Sequence, residues 1–542
     1  MSERYWPPGM PRTVGVPERT LWGNLQAAAQ RHPTKPAIHF HQTVISYGEL
    51  LALTERLAGW LQQRAGVRRG DRVLLYAQNS PSFTIAYYAI LRADAVVVPV
   101  NAMSNADDLA YFSANSGARV AIVGAELAAN ALPVAALERL LVVGEADAPA
   151  DPRCTGWADA LADAPTPGPH QAGPDDLCVL PYTSGTTGKP KGVRHSHRTM
   201  LTSLAASAVW RSLGPDEVIL SIAPMFHLMG MQNGLNLPIL LGATVVMLPR
   251  WDRAAAARLI PQHRVTFWAA PPTMVVDFFA QPGVEQIDLS SLRRLVGGGA
   301  AMPEAVAAQL KARCGIVYNE AYGMTETASF LHANPVGREK PQCLGVPTQG
   351  VDSRVVDPAT LAELPPGEVG ELVTCAPQVM LGYWGGTPEA VSPADEATFV
   401  TLDGKRFLRT GDLCAVDEDG YFFMRDRLKR MINASGFKVW PAEVENLLYA
   451  HPAIHEACVI AAPDARAGEL VKAVVVLKTE ARGSVSEADI VAWARTQMAV
   501  YKAPRAVQFV ESLPKSGTGK ILWRELQSAE SSPSASPSHR AL

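Results

Sequence analysis

From about residue 21 to residue 310, short apolar runs alternate with amphipathic stretches. Residues 73–76, 95–100 and 120–123 read as strands, and 82–91 and 106–113 as the helices between them. Residues 265–270 read as another strand, followed after Pro271-Pro272 by a helix. Alternation of this kind predicts parallel sheets covered on both faces. The unbroken hydrophobicity of 95–100 fits a strand buried on both sides. Near residue 350 the pattern changes. Residues 370–374 and 421–424 are short and strand-like, and 417–420 form an acidic-Gly turn, which predicts a smaller antiparallel unit. Beyond Leu428 a compact α+β tail is expected, with strands at 459–462 and 471–477. Residues 486–498 read as a helix, with Ser486 and Asp489 as a capping box and Ile490, Trp493, Ala494 and Met498 on one face. The Ser/Pro-rich stretch 531–539 is expected to be disordered.

No Asp, Glu, Lys or Arg occurs between Glu217 and Arg250. A spanning helix needs about 20 mostly apolar residues. Here Pro224, His227, Gln232, Asn233, Asn236 and Pro238 interrupt the run, so a buried strand–loop–helix–strand is expected.

The chain has 542 residues, and at roughly 150 residues per domain this suggests about three or four domains. With 48% apolar and 19% charged residues, it can bury a large core. Its 49 Lys and Arg nearly balance 52 Asp and Glu, which argues against a protein held to nucleic acid by bulk charge. The seven cysteines are scattered and form no CxxC pair, so a reducing, cytoplasmic setting is the natural expectation. The N-terminus lacks the apolar core of a signal peptide.

Four segments carry candidate chemistry. The first is Tyr182-Thr183-Ser184-Gly185-Thr186-Thr187-Gly188-Lys189-Pro190-Lys191-Gly192, which follows a strand-like run at 177–180. Its glycines and hydroxyl residues let backbone N–H groups approach a polyphosphate, and Lys189 and Lys191 add positive charge. It is not a GxxxxGK[ST] loop, because the spacing fails and Pro190 follows Lys189. The second is Glu320-Ala321-Tyr322-Gly323-Met324-Thr325-Glu326-Thr327, expected to be a loop after a strand at 316–318. An aromatic ring there can stack on a base, a hydroxyl can reach phosphate, and a carboxylate can hold Mg²⁺. The third joins Arg409-Thr410-Gly411-Asp412-Leu413 to Arg425-Asp426-Arg427-Leu428-Lys429-Arg430, where Asp412 can accept from ribose hydroxyls. The fourth is Pro514-Lys515-Ser516-Gly517-Thr518-Gly519-Lys520, a lysine on a glycine-flexed loop.

Taken together and in this order, the four segments resemble the adenylate-forming superfamily, in its acyl-CoA synthetase branch. The resemblance runs from about Leu21 to Leu526 and extends to Ser46-Tyr47-Gly48-Glu49-Leu50, Gly370-Glu371-Leu372 and Gly382-Tyr383-Trp384. It implies an acid–thiol ligase that uses ATP, Mg²⁺ and coenzyme A. The implied fold is an α/β N-terminal domain over 1–428, built of parallel-sheet subdomains and a small antiparallel unit. A mobile α+β lid over 429–528 and a tail over 529–542 follow.

By resemblance, Thr183, Ser184, Gly185, Thr186, Thr187, Gly188, Lys189 and Lys191 cradle phosphates. Tyr322 stacks on adenine, Glu320 contacts its amino group, Thr325 contacts phosphate and Glu326 ligates Mg²⁺. Asp412 and Arg427 contact the ribose, and Lys520 bridges the carboxylate and α-phosphate. Lys429 is the hinge of domain rotation, while Gly436 and Lys438 line the thiol tunnel. Many relatives carry two glycines there, where this chain has Ser435-Gly436.

For the acid, Pro224-Met225-Phe226-His227 looks like the acyl-CoA synthetase form of the motif before the acyl pocket. His227 stands where amino-acid-activating relatives place Asp. The strip Gly297-Gly298-Gly299 looks like the acyl-pocket wall, with Gly298 and Gly299 leaving room and Gly323 on the same side. A medium- or long-chain fatty acid is expected, with an aryl or arylalkanoic acid as the alternative. A stand-alone ligase loading a carrier protein is a further alternative, as is a non-catalytic member of the fold. The expected partners are the acid, ATP and coenzyme A, with no nucleic acid and no transmembrane segment. Peripheral membrane contact and oligomeric state are left open.

Overall fold

In the computed structural model of the chain, the described residues are 6–144, 147–162, 164–183, 189–298, 302–387, 390–434, 437–464, 468–515 and 521–531. They divide into two compact units. One comprises Met1–Ser353, Thr374–Arg409 and Asp419–Phe422, and the other Arg354–Val373, Thr410–Glu418 and Phe423–Leu542.

The first unit contains two nine-stranded sheets. In one, Pro36–Phe40, Thr244–Met247, Val218–Ser221, Phe267–Ala269, Arg294–Gly297 and Asn319–Tyr322 run parallel, in that spatial order. In the other, Leu177–Val179, Val96–Pro99, Arg72–Tyr76, Val120–Gly124, Arg139–Val143 and Cys154–Gly156 do so. Helices Leu21–Arg31, Tyr47–Gln63, Pro81–Arg92 and His197–Trp210 share one core with residues of both sheets, such as Ile38, Val245, Val73 and Val97. The opposite face of the first sheet (Leu220, Trp268, Leu295) packs on helices Arg253–His263, Pro272–Phe279 and Glu304–Cys314. The opposite face of the second (Leu74, Tyr76, Val98) packs on Ala106–Ser116. Strands covered on both faces must be apolar on both, and Val96–Pro99 is buried at every position.

The uncharged stretch after Glu217 folds as the strand Val218–Ser221, a short helix Leu228–Gly230, a π-helix Met231–Asn236, a helix Leu237–Leu241 and the strand Thr244–Met247. Among the described residues no helix is long and apolar enough to cross a membrane.

A third sheet orders Asp352–Val356, Gly370–Cys375, Lys405–Val416 and Phe399–Leu402, with Phe422–Arg427 also paired to Lys405–Val416. In the second unit, the long antiparallel hairpin Ile454–Asp464/Gly468–Leu477 is flanked by Ile432–Ala434, Phe437–Val439 and Ala506–Phe509. Helices Pro441–Leu448 and Glu487–Gln497 supply Val444, Leu448, Ile490 and Ala494 to the core of this sheet.

One expectation needs correction. Residues 316–318 are not a strand; the strand is Asn319–Tyr322. Ile316 and Tyr318 are buried in the core behind the sheet, and the Tyr318 hydroxyl donates to the carbonyl of Ala270 at 2.8 Å. The ladder to Arg294–Gly297 begins only at Asn319, so Glu320 and Tyr322 are carried on the sheet itself rather than on a loop.

Candidate active site

The two ends of the phosphate-loop segment pair as antiparallel strands. Thr183 pairs with Lys191 and Tyr182 with Gly192, which fixes both ends of the loop. Ser184, Gly185, Thr186, Thr187 and Gly188 lie outside the described residues. Lys189 Nζ stands 5.3 Å from the ring centre of Tyr111, and Lys191 Nζ 4.9 Å from that of Tyr383. Tyr111 is tied to this segment by its hydroxyl, which donates to the carbonyl of Pro190 at 2.7 Å. Neither lysine has a carboxylate partner among the described residues. Two aromatic-steadied cations without counter-charge suit an anionic ligand.

The second segment converges on the first. Thr325–Thr327 form a 3₁₀ turn, and Glu326 is 7% exposed. The Tyr383 hydroxyl donates to Glu326 Oε1 at 2.8 Å, while Met380 N donates to the Glu326 carbonyl at 2.8 Å. Lys191, Tyr383 and Glu326 therefore form a line from the phosphate loop to the carboxylate. Burial and the nearby Glu326 charge push the Tyr383 phenol well above its ordinary range, so Tyr383 remains a donor.

The turn is braced from behind. His195 Nε2 lies 2.7 Å from the carbonyl oxygen of Thr325 and Nδ1 3.1 Å from the Thr199 hydroxyl. Ala328 (φ 51°) and Ser329 (φ 84°) take left-handed conformations that non-glycine residues rarely adopt. The Ala328 carbonyl is held by Ser203 Oγ at 2.6 Å and Gln232 Nε2 at 3.2 Å.

Glu320 is buried, its carboxylate accepting from Met302 N at 3.0 Å and Cys343 N at 3.2 Å. Burial raises its pKa, and these N–H groups oppose the rise. Tyr322 packs beside His332, ring centres 5.6 Å apart.

In the other unit, Asp412 is almost fully buried on strand Lys405–Val416 and pairs with Arg427 Nε at 3.1 Å. Lys429 lies in the 3₁₀ turn Leu428–Arg430 and Lys438 in strand Phe437–Val439; neither side chain is among those described. Gly436 and Lys520 lie outside the described residues, as does Gly299 in the first unit.

On the acid side, His227 is exposed and is not a core histidine; its Nδ1 accepts from Met229 N at 3.2 Å, capping Leu228–Gly230. The glycines do different work from the room expected of them. A Cβ on Gly298 would lie 2.0 Å from the carbonyl oxygen of Ala321, and one on Gly323 1.5 Å from that of Ser329. Gly298 and Gly323 let backbone approach backbone, so the space they clear is filled by the protein itself. Sequence reading missed His195 and Tyr111, which carry no motif signal. Tyr383 was visible only as part of Gly382-Tyr383-Trp384.

The sequence pattern of the AMP-binding enzyme family matches residues 25–384, and that of the AMP-binding enzyme C-terminal domain matches 443–520. The chain belongs to the AMP-binding enzymes, the adenylate-forming family. It is an ATP-dependent acyl-CoA ligase, an AMP-forming acid–thiol ligase whose partners are a carboxylic acid, ATP and coenzyme A. A feruloyl-CoA synthase from an Amycolatopsis species is 40% identical over 92% of this chain and 96% of its own. A long-chain-fatty-acid–CoA ligase from Bacillus subtilis is 33% identical over 98% of both chains. Among solved structures, ATP-bound MatB from Rhodopseudomonas palustris superposes with a TM-score of 0.84 at 28% identity, covering 95% of this chain and 99% of that one. This AMP-binding enzyme thus shares its mixed α/β architecture with a structure that covers 95% of it.

Proposed function

We propose that this ligase forms an acyl-adenylate and then a CoA thioester on an aryl or arylalkenoic acid. In the first step a carboxylate oxygen attacks the α-phosphorus of ATP and pyrophosphate leaves. In the second the CoA sulfur attacks the acyl carbon and AMP leaves with the bonding pair. The line Lys191–Tyr383–Glu326 carries the reading, because Tyr383 stands between an uncompensated positive charge and a buried carboxylate.

Thr183, Lys189 and Lys191, with the loop between them, take the β- and γ-phosphates. Tyr322 and Glu320 take adenine, Thr325 phosphate, and Asp412 and Arg427 the ribose. Glu326 holds Mg²⁺. One carboxylate beside a hydroxyl suits this ion, which keeps waters and phosphate oxygens, and no cluster of three acidic, His or Cys ligands occurs among the described residues. Bound there, Mg²⁺ would neutralise charge on the phosphates. Lys520 serves adenylation, Lys429 is the hinge between a domain over 1–428 and a lid over 429–528, and Gly436 and Lys438 admit the thiol. His227, Gly298, Gly299 and Gly323 shape the acid side, Gly298 and Gly323 through backbone clearance. A cytoplasmic setting is supported by the seven scattered cysteines, which form no CxxC pair.

The feruloyl-CoA synthase relative supports the aryl class. A medium- or long-chain fatty acid is the second reading, favoured by full-length alignment with the fatty-acid ligase. Measuring kcat/KM for hexanoate, decanoate, hexadecanoate, benzoate and cinnamate with ATP and coenzyme A separates them. Preference for the aromatic acids is the expected result. A steady rise with chain length would replace it with the fatty-acid reading, since each buried CH₂ is worth up to about 0.8 kcal/mol.

A further inference from the structure

Arg211 is the C-cap of helix His197–Trp210, and it is only 4% exposed. Its NH1 group donates to Ser207 Oγ at 2.6 Å and to Asn233 Oδ1, on the π-helix, at 3.2 Å. Its guanidinium lies 4.6 Å from the ring centre of Phe330 and 6.0 Å from that of Phe267. Its Nε–H is buried without any acceptor. Among the described residues no carboxylate pairs with it, and the charge felt most at this position is a second cation, Arg294. Burial pulls its pKa down to about 9, which still leaves it charged at neutral pH. A buried, unpaired guanidinium is costly, and the cost is offset when an acceptor arrives.

Strand register places this cation relative to the acid side. Phe267 pairs with Arg294, and Ala269 with Val296, which in turn pairs with Asn319. These residues share a face with Ile219, Ser221 and Ala321, opposite to the face of Leu220, Trp268 and Leu295. Ser221 faces the π-helix, because a Cβ on Gly234 would lie 2.3 Å from its Oγ. Asn319 Oδ1 and Ser221 Oγ are also buried without partners on this face. Its middle is small and apolar: Ala269, Val296, Ala321. Arg294 lies three residues below Gly297, or about 10 Å at about 3.3 Å per residue.

We propose that Arg211 recognises an oxygen acceptor at the far end of the acid, with the apolar body lying along Ala269, Val296 and Ala321. A phenolic oxygen and a second carboxylate share this chemistry. The proposal rests on the ligase reading above and narrows its substrate class. Arg211 is a specificity residue: the body of the acid is held by the sheet face, and the far-end oxygen decides between related acids.

The experiment compares kcat/KM for 4-hydroxycinnamate against cinnamate and for suberate against octanoate, in the wild type, Arg211→Met and Arg211→Lys. In the wild type, at least one acceptor-bearing acid should exceed its bare partner by about tenfold or more. Which pair shows it identifies the acceptor. Arg211→Met should erase that preference, mainly through KM, while keeping turnover of the bare acid, and Arg211→Lys should restore part of it. Turnover of the acids with less than about threefold preference in the wild type overturns the proposal, whatever the variants do. Equal loss for both members of a pair in a folded Arg211→Met protein also overturns it. No turnover of any acid defeats the ligase reading instead.

Discussion

His195 shows how much of the site depends on a residue that braces it from behind. The Thr325 carbonyl can only accept, so Nε2 carries the ring proton and Nδ1 accepts from Thr199. Burial holds the imidazole neutral, with its pKa lowered to about 4. The ring thereby fixes the turn that presents Thr325 and Glu326. Replacing it, His195→Ala, should slow acid-dependent ATP–pyrophosphate exchange by roughly tenfold, the cost of about one lost hydrogen bond, with Tyr383 and Glu326 intact. An exchange rate equal to wild type would show that the turn needs no brace. The sequence could not reveal this partnership, because 130 positions separate His195 from Thr325 and a lone histidine carries no spacing signal. Tyr322 and Glu326 were legible because their residue types sit in a dense run of chemistry-bearing side chains. Gly298 and Gly323 were legible as special but not in purpose: the sequence marks a missing Cβ without saying what stands in its place.

At the scale of elements, what was readable was local. Ser486 and Asp489 form the expected capping box, with Ser486 Oγ accepting from Asp489 N at 3.2 Å and Asp489 Oδ2 accepting from Ser486 N at 2.9 Å. Ser486→Ala should therefore cost about 1 kcal/mol, seen as a lower urea midpoint for the C-terminal unit; no change would mean the cap is dispensable. Strands buried on both faces were also readable, since continuous apolar runs leave few other solutions. The strand Asn319–Tyr322 was displaced by three residues in the reading, because its polar residues Asn319 and Glu320 are buried through partners far along the chain. The π-helix was not legible either. Its extra residue per turn follows from packing, where Gly234 meets Ser221 and Gln232 reaches two carbonyls, and not from periodicity.

For the whole molecule, buried histidines set a pH limit. His195, His197 and His332 are fully buried, with pKa values lowered by burial to about 4, about 3 and about 3. The unfolded chain takes up these protons near the ordinary value of about 6.5, and the folded chain does not. Their contribution to stability is complete above that value and is lost as pH falls toward about 4, with a slope of up to about 1.4 kcal/mol per pH unit for each. Buried Glu320 and Asp426, shifted upward, oppose this nearer the carboxyl range. The urea midpoint should fall between pH 6.5 and pH 5; a flat midpoint would show these rings titrating normally. Charge over the whole chain, by contrast, said nothing about nucleotide binding: near neutrality hides two placed lysines.

In the function proposed above, Glu326, held by Tyr383 beside Lys191, serves ATP during adenylation. This role is tested most directly by acid-dependent ATP–pyrophosphate exchange in the wild type and in Glu326→Gln, a change that keeps shape and removes charge. Exchange is expected in the wild type and a loss of at least about a hundredfold in the variant, with the melting temperature little changed. Exchange in Glu326→Gln at the wild-type rate would contradict it.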